Sequence, residues 1–452
     1  MYSDRALVIG AGFAGLLAAR VLSESYGDVV LVERDALTTD AGHRAGLPRA
    51  HHPHPLPARG EQALEALFPR IGRELENAGA VRADLGSDCL HHFPAGPAPR
   101  DHLGLSVLSV TRVTLDRIIR RRVLRLANVS LVDGVTIDGL LHDRGAVTGV
   151  HGRRGDRPFT DYADLVVDAS GRDSKLVSWL AELGVHCPAP RIVHGHVTCS
   201  SRLYEVNRDL ELGWKNACEI THLPGTARGG AVSSVDGSRW LVTLFGAEGD
   251  PAPADDDGFL DHATSLRCQG IAEIVKTATP ASAIHHAGTP RTRWNRFHQV
   301  PDWPRGLLAI GDSVVSLDPV HGHGLTVTAL NCADLRALVR EHDLAGEPLV
   351  FQRGRQGRQV PVDVRDDRRS RPGHQDTPAA EAPAAVVLRP GARGDSRQPA
   401  GLPRVRPRLA AGLPPGGPAQ SGGAGPRAAG EEAQRTAPSG HSTVTGTPLD
   451  RA

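Results

Sequence analysis

Lysine, methionine and aromatic residues are all scarce in this chain of 452 residues. The three lysines are Lys175, Lys215 and Lys276, so arginine carries most of the positive charge. Lys and Arg together number 52 against 51 Asp and Glu, a formal net charge of +1. Because neither sign of charge is in excess, we expect no nucleic-acid partner and no attraction to a membrane surface.

Long hydrophobic runs and paired cysteines are also missing. No apolar run approaches the ~18 residues of a membrane span, and no basic leader with an apolar core precedes the first apolar stretch. The six cysteines are scattered without paired spacing, which is typical of thiols in a reducing compartment. We therefore expect a cytoplasmic protein without an integral membrane segment.

The segment 352–452 is poor in large apolar side chains. It contains no Phe, Trp, Tyr, Ile or Met, and 29 of its 101 positions are Pro or Gly. Such a composition cannot offset the entropy lost on ordering, so we predict an unstructured tail. Two explanations stay open, a genuine disordered tail and a loss of the reading frame near Gln352. Translating the other two frames of the underlying DNA would separate them.

What the chain does contain is a glycine-rich motif near its start. Gly10-Ala-Gly12-Phe-Ala-Gly15 follows the apolar run 5–9 and precedes an amphipathic stretch. In such turns the first glycine permits a tight turn, the second lets the backbone approach a pyrophosphate, and the third lets helix pack on strand. A second apolar run ends at Glu33, where an acid would hold ribose hydroxyls, which favours FAD or NAD over NADP.

Two further turns have the same character. Asp168-Ala-Ser-Gly171 ends the apolar run 163–167, and Gly311-Asp312 ends the run 307–310. Asp312 at a strand end can accept hydrogen bonds from sugar-like hydroxyls. A helix is predicted beyond Gly324, and its N-terminal amides would suit an anionic ring system.

In this order and spacing the three motifs resemble the flavin-dependent aromatic hydroxylase superfamily, and more narrowly the actinobacterial polyether-type flavin epoxidases and related tailoring enzymes. The loop 44–56 is similar to a family loop of the form R-x-G-x-P-Q-x-R-H-x-H-x-L, and Thr111-Arg112 stands where the family has Ser-Arg. There are four departures from the family pattern, which bear on catalytic geometry more than on flavin binding. They are Arg49 for glutamine, His51 for arginine, Asp318 for asparagine and His321 for an aromatic residue.

The resemblance implies an FAD-dependent monooxygenase. Such an enzyme hydroxylates or epoxidises a hydrophobic small molecule with O2, through a flavin hydroperoxide, here in secondary metabolism such as antibiotic biosynthesis. Because only one glycine-rich nucleotide motif is present, NAD(P)H either visits transiently or reduces the flavin through a separate flavin reductase.

The resemblance and the motifs together give a set of candidate site residues. Those expected to bind FAD are Gly10, Gly12, Phe13, Ala14, Gly15, Glu33, Arg34, Arg44, His52, Arg112, Asp168, Gly171, Gly311, Asp312, Pro319, Gly322, Gly324 and Leu325. No catalytic residue is assigned, and His321 and His323 are the candidates. No metal is expected, because the histidines at 51–54 have no Cys or acid at ligand spacing.

The predicted fold class is α/β, with a Rossmann-like FAD-binding domain of the glutathione-reductase type and an inserted, mainly β substrate domain. We predict the first part of the FAD domain over 1–185, the substrate-binding sheet over 186–290, the return segment over 291–351 and the tail over 352–452. Two local predictions accompany these boundaries. Pro69 should kink a helix that runs through Leu64 and Ile71, and Thr114 should cap another.

Three other functions compete with the monooxygenase hypothesis. A flavin halogenase is disfavoured because its W-x-W-x-I-P stretch is missing and no lysine stands in a matching context. A flavin-linked reductase or desaturase remains open. So does a flavin-binding protein left inactive by loss of its C-terminal region.

Overall fold

The computed structural model describes residues 4–37, 48–194, 197–206, 212–221, 225–247, 249–288, 291–317 and 322–354. The predicted tail lies outside the described residues, except for its first three positions, 352–354.

The helices of the described residues are spread along the chain. They are α1 (Phe13–Leu22), α2 (Ala58–Leu67), α3 (Ile71–Asn77), α4 (Arg112–Val123), α5 (Leu176–Glu182), α6 (Asp256–Ser265), α7 (Gln269–Thr277), α8 (Gly324–Glu341) and α9 (Leu349–Arg353). Short 3-10 turns occur at Pro48–His51, Phe297–Gln299 and Gly311–Ser313.

The strands of the described residues form five sheets. They are β1 (Arg5–Ile9), β2 (Asp28–Val32), β3 (Leu56–Pro57), β4 (Val81–Asp84), β5 (Cys89–Phe93), β6 (Gly96–Pro97), β7 (Ser106–Ser109), β8 (Val129–Val132), β9 (Val135–Asp143), β10 (Ala146–Arg154), β11 (Arg157–Tyr162), β12 (Leu165–Asp168), β13 (Arg191–His194), β14 (Val197–Glu205), β15 (Asn216–Glu219), β16 (Gly229–Val235), β17 (Arg239–Ala247), β18 (Thr279–Pro280), β19 (His285–Ala287), β20 (Arg291–Trp294), β21 (Leu307–Ala309) and β22 (Val315–Ser316).

A five-stranded parallel sheet forms the centre of the Rossmann-like part of the structure. Its order is β21-β12-β1-β2-β8, and β1 pairs with β12 and β2 in the registers Leu7↔Val166 and Leu7↔Val30. These strands are continuous apolar runs because both faces of the sheet are covered. The long connections between neighbouring parallel strands bring the turns after β1, β12 and β21 to one edge, although they are far apart in the chain.

Each face of the parallel sheet buries its own apolar cluster. On one face α1, α2, α4 and α8 pack around Leu16, Leu64, Ile119 and Leu335. On the other face the antiparallel meander β9-β10-β11 supplies apolar residues that pack with Leu7 of the sheet. This α/β arrangement, with its Rossmann-like parallel sheet, confirms the predicted fold class.

The largest sheet is antiparallel over most of its width. Its order is β18-β14-β17-β16-β15-β5-β6, with β19 also paired to β14, and α6 and α7 cover one face. Most of its strands come from the segment predicted to carry a sheet. β5 and β6 come from much earlier in the chain, and β5 pairs in parallel with β15. The exact domain boundaries stay a prediction.

The two local predictions had different outcomes. Pro69 does more than the predicted kink, because the helix is interrupted there: α2 ends at Leu67 and α3 begins at Ile71. Thr114 as an N-cap is wrong. The cap is Thr111, whose hydroxyl accepts from the Thr114 amide (3.4 Å), so that Thr114 lies inside the first turn of α4.

Candidate functional site

A cavity of about 400 Å³ opens at the carboxyl ends of the parallel strands. Its walls come from the turns after β1, β2 and β12, the start of α4, and the connection from β21 to α8. Ligands of open α/β sheets characteristically bind at this edge. Most of the predicted site residues line the cavity: Gly10, Gly12, Phe13, Ala14, Glu33, Arg34, Arg112, Gly171, Asp312, Gly322, Gly324 and Leu325.

The first turn depends on two glycines for its shape. Gly10 has a φ of +97°, and a Cβ there would lie 2.8 Å from the carbonyl oxygen of Ala169. A Cβ on Gly15 would collide with the Gly10 carbonyl, so α1 can approach β1 only without one. These are the roles predicted for the first and third glycines of the motif.

Three other glycines leave room inside the cavity. Gly12, Gly171 and Gly324 all line it, and a Cβ on any of them would meet no protein atom within 4 Å. Side chains at these positions would take up space that the glycines keep for a ligand lying against the backbone.

Two helices begin at the cavity wall. Helix α1 starts at Phe13 and α8 at Gly324, and neither of these fully described helices has an acidic residue in its first turn. The amides of a first helical turn have no partner within the helix, and the helix dipole favours negative charge there. The cavity can therefore bind anions at two of its walls.

Glu33 ends β2 and is buried, with 6% of its surface exposed. One carboxylate oxygen accepts a hydrogen bond from the Ala11 amide (2.8 Å) and the other from the Asp35 amide (3.1 Å). The side chain thus holds the glycine-rich turn as well as lining the cavity. As a carboxylate in the cavity wall, it is a suitable acceptor for ligand hydroxyls.

The charges around the cavity are unequal. The lining side chains with formal charge are Arg34, Arg49, Arg112, Arg172 and Lys175 against Glu33, Asp173 and Asp312. Five positive and three negative groups leave a net charge of +2. Such a wall attracts anions, and the attraction comes mainly from Arg49, Arg112 and Arg172, because Arg34, Asp173 and Lys175 are exposed to solvent.

Asp312 stands among several of these cations. Burial raises the pKa of its carboxyl, and the charges of Arg172, Arg49 and Arg112 oppose that rise. Burial also lowers the pKa of Arg172 to about 10, so this guanidinium stays charged at neutral pH. The Asp312 carboxylate, in the turn after β21, is therefore a hydrogen-bond acceptor surrounded by guanidinium donors.

The loop before β3 contributes two residues that the site prediction did not include. Arg49 and His54 both line the cavity, and His54 Nε2 lies 2.9 Å from the Arg49 carbonyl oxygen. Burial lowers the pKa of His54 to about 3, with Arg112 adding to the effect, so this imidazole is neutral. Arg49 is one of the departures from the family loop, and it adds a positive charge to the wall.

His52 of the same loop faces the large sheet and does not line the cavity. Its Nδ1 lies 2.8 Å from the Ser201 hydroxyl, which lies 2.6 Å from the Thr243 hydroxyl. Burial lowers the pKa of His52 to about 4, and the nearby charges of His51 and Arg49 add to this. His52 therefore fixes the loop to the sheet through a buried polar contact.

Asp168 stabilises the turn after β12 through hydrogen bonds to its carboxylate. It is fully buried, and its carboxylate accepts hydrogen bonds from Ser170 Oγ (2.5 Å) and Ser174 Oγ (2.6 Å). Burial raises the pKa of this carboxyl, and the hydrogen bond from Ser170 opposes the rise. The following residues, including Gly171, reach the cavity while Asp168 itself does not.

The remaining predicted residues divide into two groups. Gly15, Gly311 and His323 do not line the cavity. Arg44, Pro319 and His321 lie outside the described residues.

Besides Arg49 and His54, sequence reasoning missed Arg172, Lys175 and Trp179 in the wall. Arg172 follows the second glycine turn directly, which is a usable signal. Nothing in the local pattern identifies Trp179, which reaches the cavity from α5.

Two possible features were not found among the described residues. None of their His, Cys, Asp and Glu side chains form a group of three or more able to hold a metal ion. Within the same part of the chain, no helix combines the length and apolar character that crossing a bilayer requires.

Comparison with known proteins gives matches at the levels of sequence and fold. Residues 5–100 match the family model described as FAD dependent oxidoreductase. Protein Rv3254 of Mycobacterium tuberculosis (strain ATCC 25618 / H37Rv) is 31% identical over 355 residues, which is 76% of this chain and 74% of that protein.

Solved structures share the fold at low identity. The flavin-dependent brominase Bmp2 is 16% identical with a TM-score of 0.57, over 78% of this chain and 83% of that one. For pqsL, a probable FAD-dependent monooxygenase from Pseudomonas aeruginosa, the identity is 14% and the TM-score 0.55, over 80% and 92%. For 2-methyl-3-hydroxypyridine-5-carboxylic acid oxygenase they are 19% and 0.56, over 78% and 87%.

Proposed function

This chain belongs to the same family as the mycobacterial protein Rv3254 and has an FAD-dependent oxidoreductase domain, and we propose that it is an FAD-dependent monooxygenase acting on a hydrophobic small molecule. The fold it shares with flavin-dependent monooxygenases and halogenases supports FAD-dependent oxidation. Hydroxylation or epoxidation, and a place in secondary metabolism, are the finer parts of the proposal and rest on the motif resemblance.

The observation that carries the proposal is the cavity at the strand ends. Its excess of positive charge suits an anionic group such as a dinucleotide pyrophosphate, and two helix N-termini meet it. Its glycines at 12, 171 and 324 leave space that side chains would fill. The residues present therefore fit FAD.

Each wall has a proposed part in holding the cofactor. Glu33 and the glycine-rich turn would hold the adenosine half, with Gly12 against the pyrophosphate. Arg112 and Asp312 would serve the ribityl chain and ring, together with the backbone of residues 322–325. When bound, FAD supplies the redox chemistry that activates O2. The protein's own residues bind it, orient it and keep water away.

No side chain of the cavity is assigned as an acid or base. His54 is neutral, and its Nε2 already lies within hydrogen-bond distance of a backbone oxygen, so it is a poor proton donor near pH 7. We propose NAD(P)H as the electron source, used directly or through a separate flavin reductase.

The test is a visible spectrum of the purified protein followed by titration of the apoprotein with FAD. We expect a yellow protein, or saturable binding with quenching of flavin fluorescence. Folded protein that stays colourless and does not bind added FAD would contradict the proposal.

Turnover then separates the remaining functions. NAD(P)H oxidation with O2 uptake and a product heavier by one oxygen would support the monooxygenase. A product that has lost two hydrogens would indicate a desaturase, and bound FAD without turnover on any substrate would indicate an inactive flavoprotein. A halogenated product would favour the chemistry of the brominase.

A further inference from the structure

The hairpin between β16 and β17 buries an aspartate. Asp236 is 4% exposed although it lies at a turn, where side chains are usually solvated. Arg239, at the start of β17, donates from Nη2 to the Asp236 carboxylate (3.2 Å) and from Nε to its carbonyl oxygen (3.1 Å). The hairpin thus holds the carboxylate in one orientation.

That carboxylate binds the first turn of α4, more than 120 residues earlier in the chain. Its Oδ1 accepts from the Thr111 amide (2.5 Å), and its Oδ2 accepts from the hydroxyls of Thr111 (3.0 Å) and Thr114 (2.8 Å). Hydrogen bonds to a charged acceptor are stronger than neutral ones, and a negative charge at a helix N-terminus is favoured by the dipole. The large sheet therefore determines where α4 begins.

The first residue of α4 is Arg112. Its side chain is 8% exposed, lines the cavity, and places its guanidinium carbon 5.2 Å from the centre of the Phe13 ring. Phe13 follows the glycine-rich turn directly and is the first residue of α1. A shift in the first turn of α4 would therefore move a charged group of the cavity wall relative to the turn that faces it.

We propose that Asp236 is a positioning residue for the flavin site, and that it sets Arg112 against the cofactor through Thr111 and Thr114. This inference rests on the proposed function, because it assumes that the cavity binds FAD. It assigns a cofactor role to a residue of the large sheet that lies outside the cavity wall.

The experiment is a double-mutant cycle on FAD affinity. Asp236→Asn keeps the volume but replaces one acceptor oxygen with a donor, so the threonine contacts cannot all form. We expect it to raise the Kd for FAD about 10-fold in the wild-type background. In an Arg112→Met background the same change should have no further effect, because its target is gone. Asp236→Glu, which keeps the charge, should recover part of the affinity.

Two further variants keep the inference testable. Thr114→Val removes one donor with little change of shape, and it carries the test if Asp236→Asn does not fold. Asp250→Asn is the matched control. It removes the charge from another Asp–Arg pair, three residues after β17 and with Arg228 (2.6 Å), and should leave FAD affinity unchanged.

Additive effects of Asp236→Asn and Arg112→Met on the Kd would overturn the inference. So would a loss of apoprotein stability in urea with no change in Kd. The titration of wild-type protein distinguishes failure of this inference from failure of the proposed function. Wild-type protein that does not bind FAD would overturn the proposed function itself.

Discussion

Arg112 lies where the glycine-rich turn, the cavity and helix α4 meet. Its guanidinium faces the Phe13 ring, and its charge also helps to depress the pKa of His54. A buried cation in this position contributes to binding an anion through charge-assisted hydrogen bonds, each contributing about 1.5–3 kcal/mol.

Replacing Arg112 with Met should weaken FAD binding about 10- to 100-fold, because the chain length is kept and the charge is lost. The measurement is FAD titration by fluorescence quenching. Arg117→Met, an exposed position on the same helix, is the control and should bind as the wild type does. Equal affinity of the Arg112 and Arg117 variants would exclude Arg112 from the cofactor site.

His52 should make stability depend on pH on the acid side. Its pKa is about 4 in the folded protein against about 6.5 unfolded, so the unfolded chain binds more protons between these values. The stabilisation is complete above pH 6.5 and is lost as pH falls towards 4, by about 3 kcal/mol at most. His52→Gln should flatten this part of a urea-unfolding profile. His142→Gln, on an exposed strand position, should not, and equal slopes for both variants would contradict the assignment.

Single residues show where sequence reasoning ends. The glycines and Glu33 were found because their function needs a particular backbone or a particular spacing. Arg49 and Trp179 have no such local requirement. They reach the cavity only because distant turns and a helix converge there, and that convergence is a property of the fold.

At the scale of elements, two glycines of the β1–α1 unit have different roles: Gly15 allows the helix to pack on the strand, and Gly12 faces the cavity. A Cβ on Gly15 would collide with the Gly10 carbonyl, whereas a Cβ on Gly12 would meet only the cavity.

We therefore expect opposite behaviour from two alanine variants. Gly15→Ala should destabilise the apoprotein by about 3 kcal/mol or more, as overpacking against backbone does. Gly12→Ala should change apoprotein stability by no more than about 1 kcal/mol but should weaken FAD binding at least 10-fold. Urea unfolding of the apoproteins and FAD titration measure the two effects. Full FAD affinity in Gly12→Ala would show that the pyrophosphate does not approach this turn.

Elements that depend on the local sequence pattern were predictable. Elements that depend on contacts between distant parts of the chain were not. The strands of the parallel sheet and the break at Pro69 follow from apolar runs and proline chemistry. The start of α4 was misplaced by three residues, since Thr111 and Thr114 are equally good caps by composition. Only the structure shows that Asp236 and Thr111 fix the start of the helix. The parallel pairing of β5 with β15 likewise has no local signal.

At the scale of the whole molecule, the described body closes with α9. Phe351 and Gln352 are both buried, and Gln352 Nε2 donates to the Ala309 carbonyl oxygen (3.3 Å) at the end of β21. The composition after this point predicts no packed core.

A chain ending at Gly354 should therefore match the full chain in melting temperature and in FAD affinity. A chain ending at Pro348 should be destabilised by about 3–5 kcal/mol, because it loses the buried Phe351. Thermal unfolding and FAD titration of the three lengths give the comparison. Aggregation of the 354-residue chain would show that the remaining residues cover the body after all.

The contacts from Asp236 to Thr111 and from Ser201 to His52 also bear on protein engineering. The sequence predicts that the large sheet binds the substrate, so exchanging it with that of a relative would test whether it selects the compound that is oxidised. Each of these contacts has one partner in the sheet and one outside it, so a graft that moves only the sheet would break both. A working chimera would have to carry the pairs intact, or rebuild them at the seam.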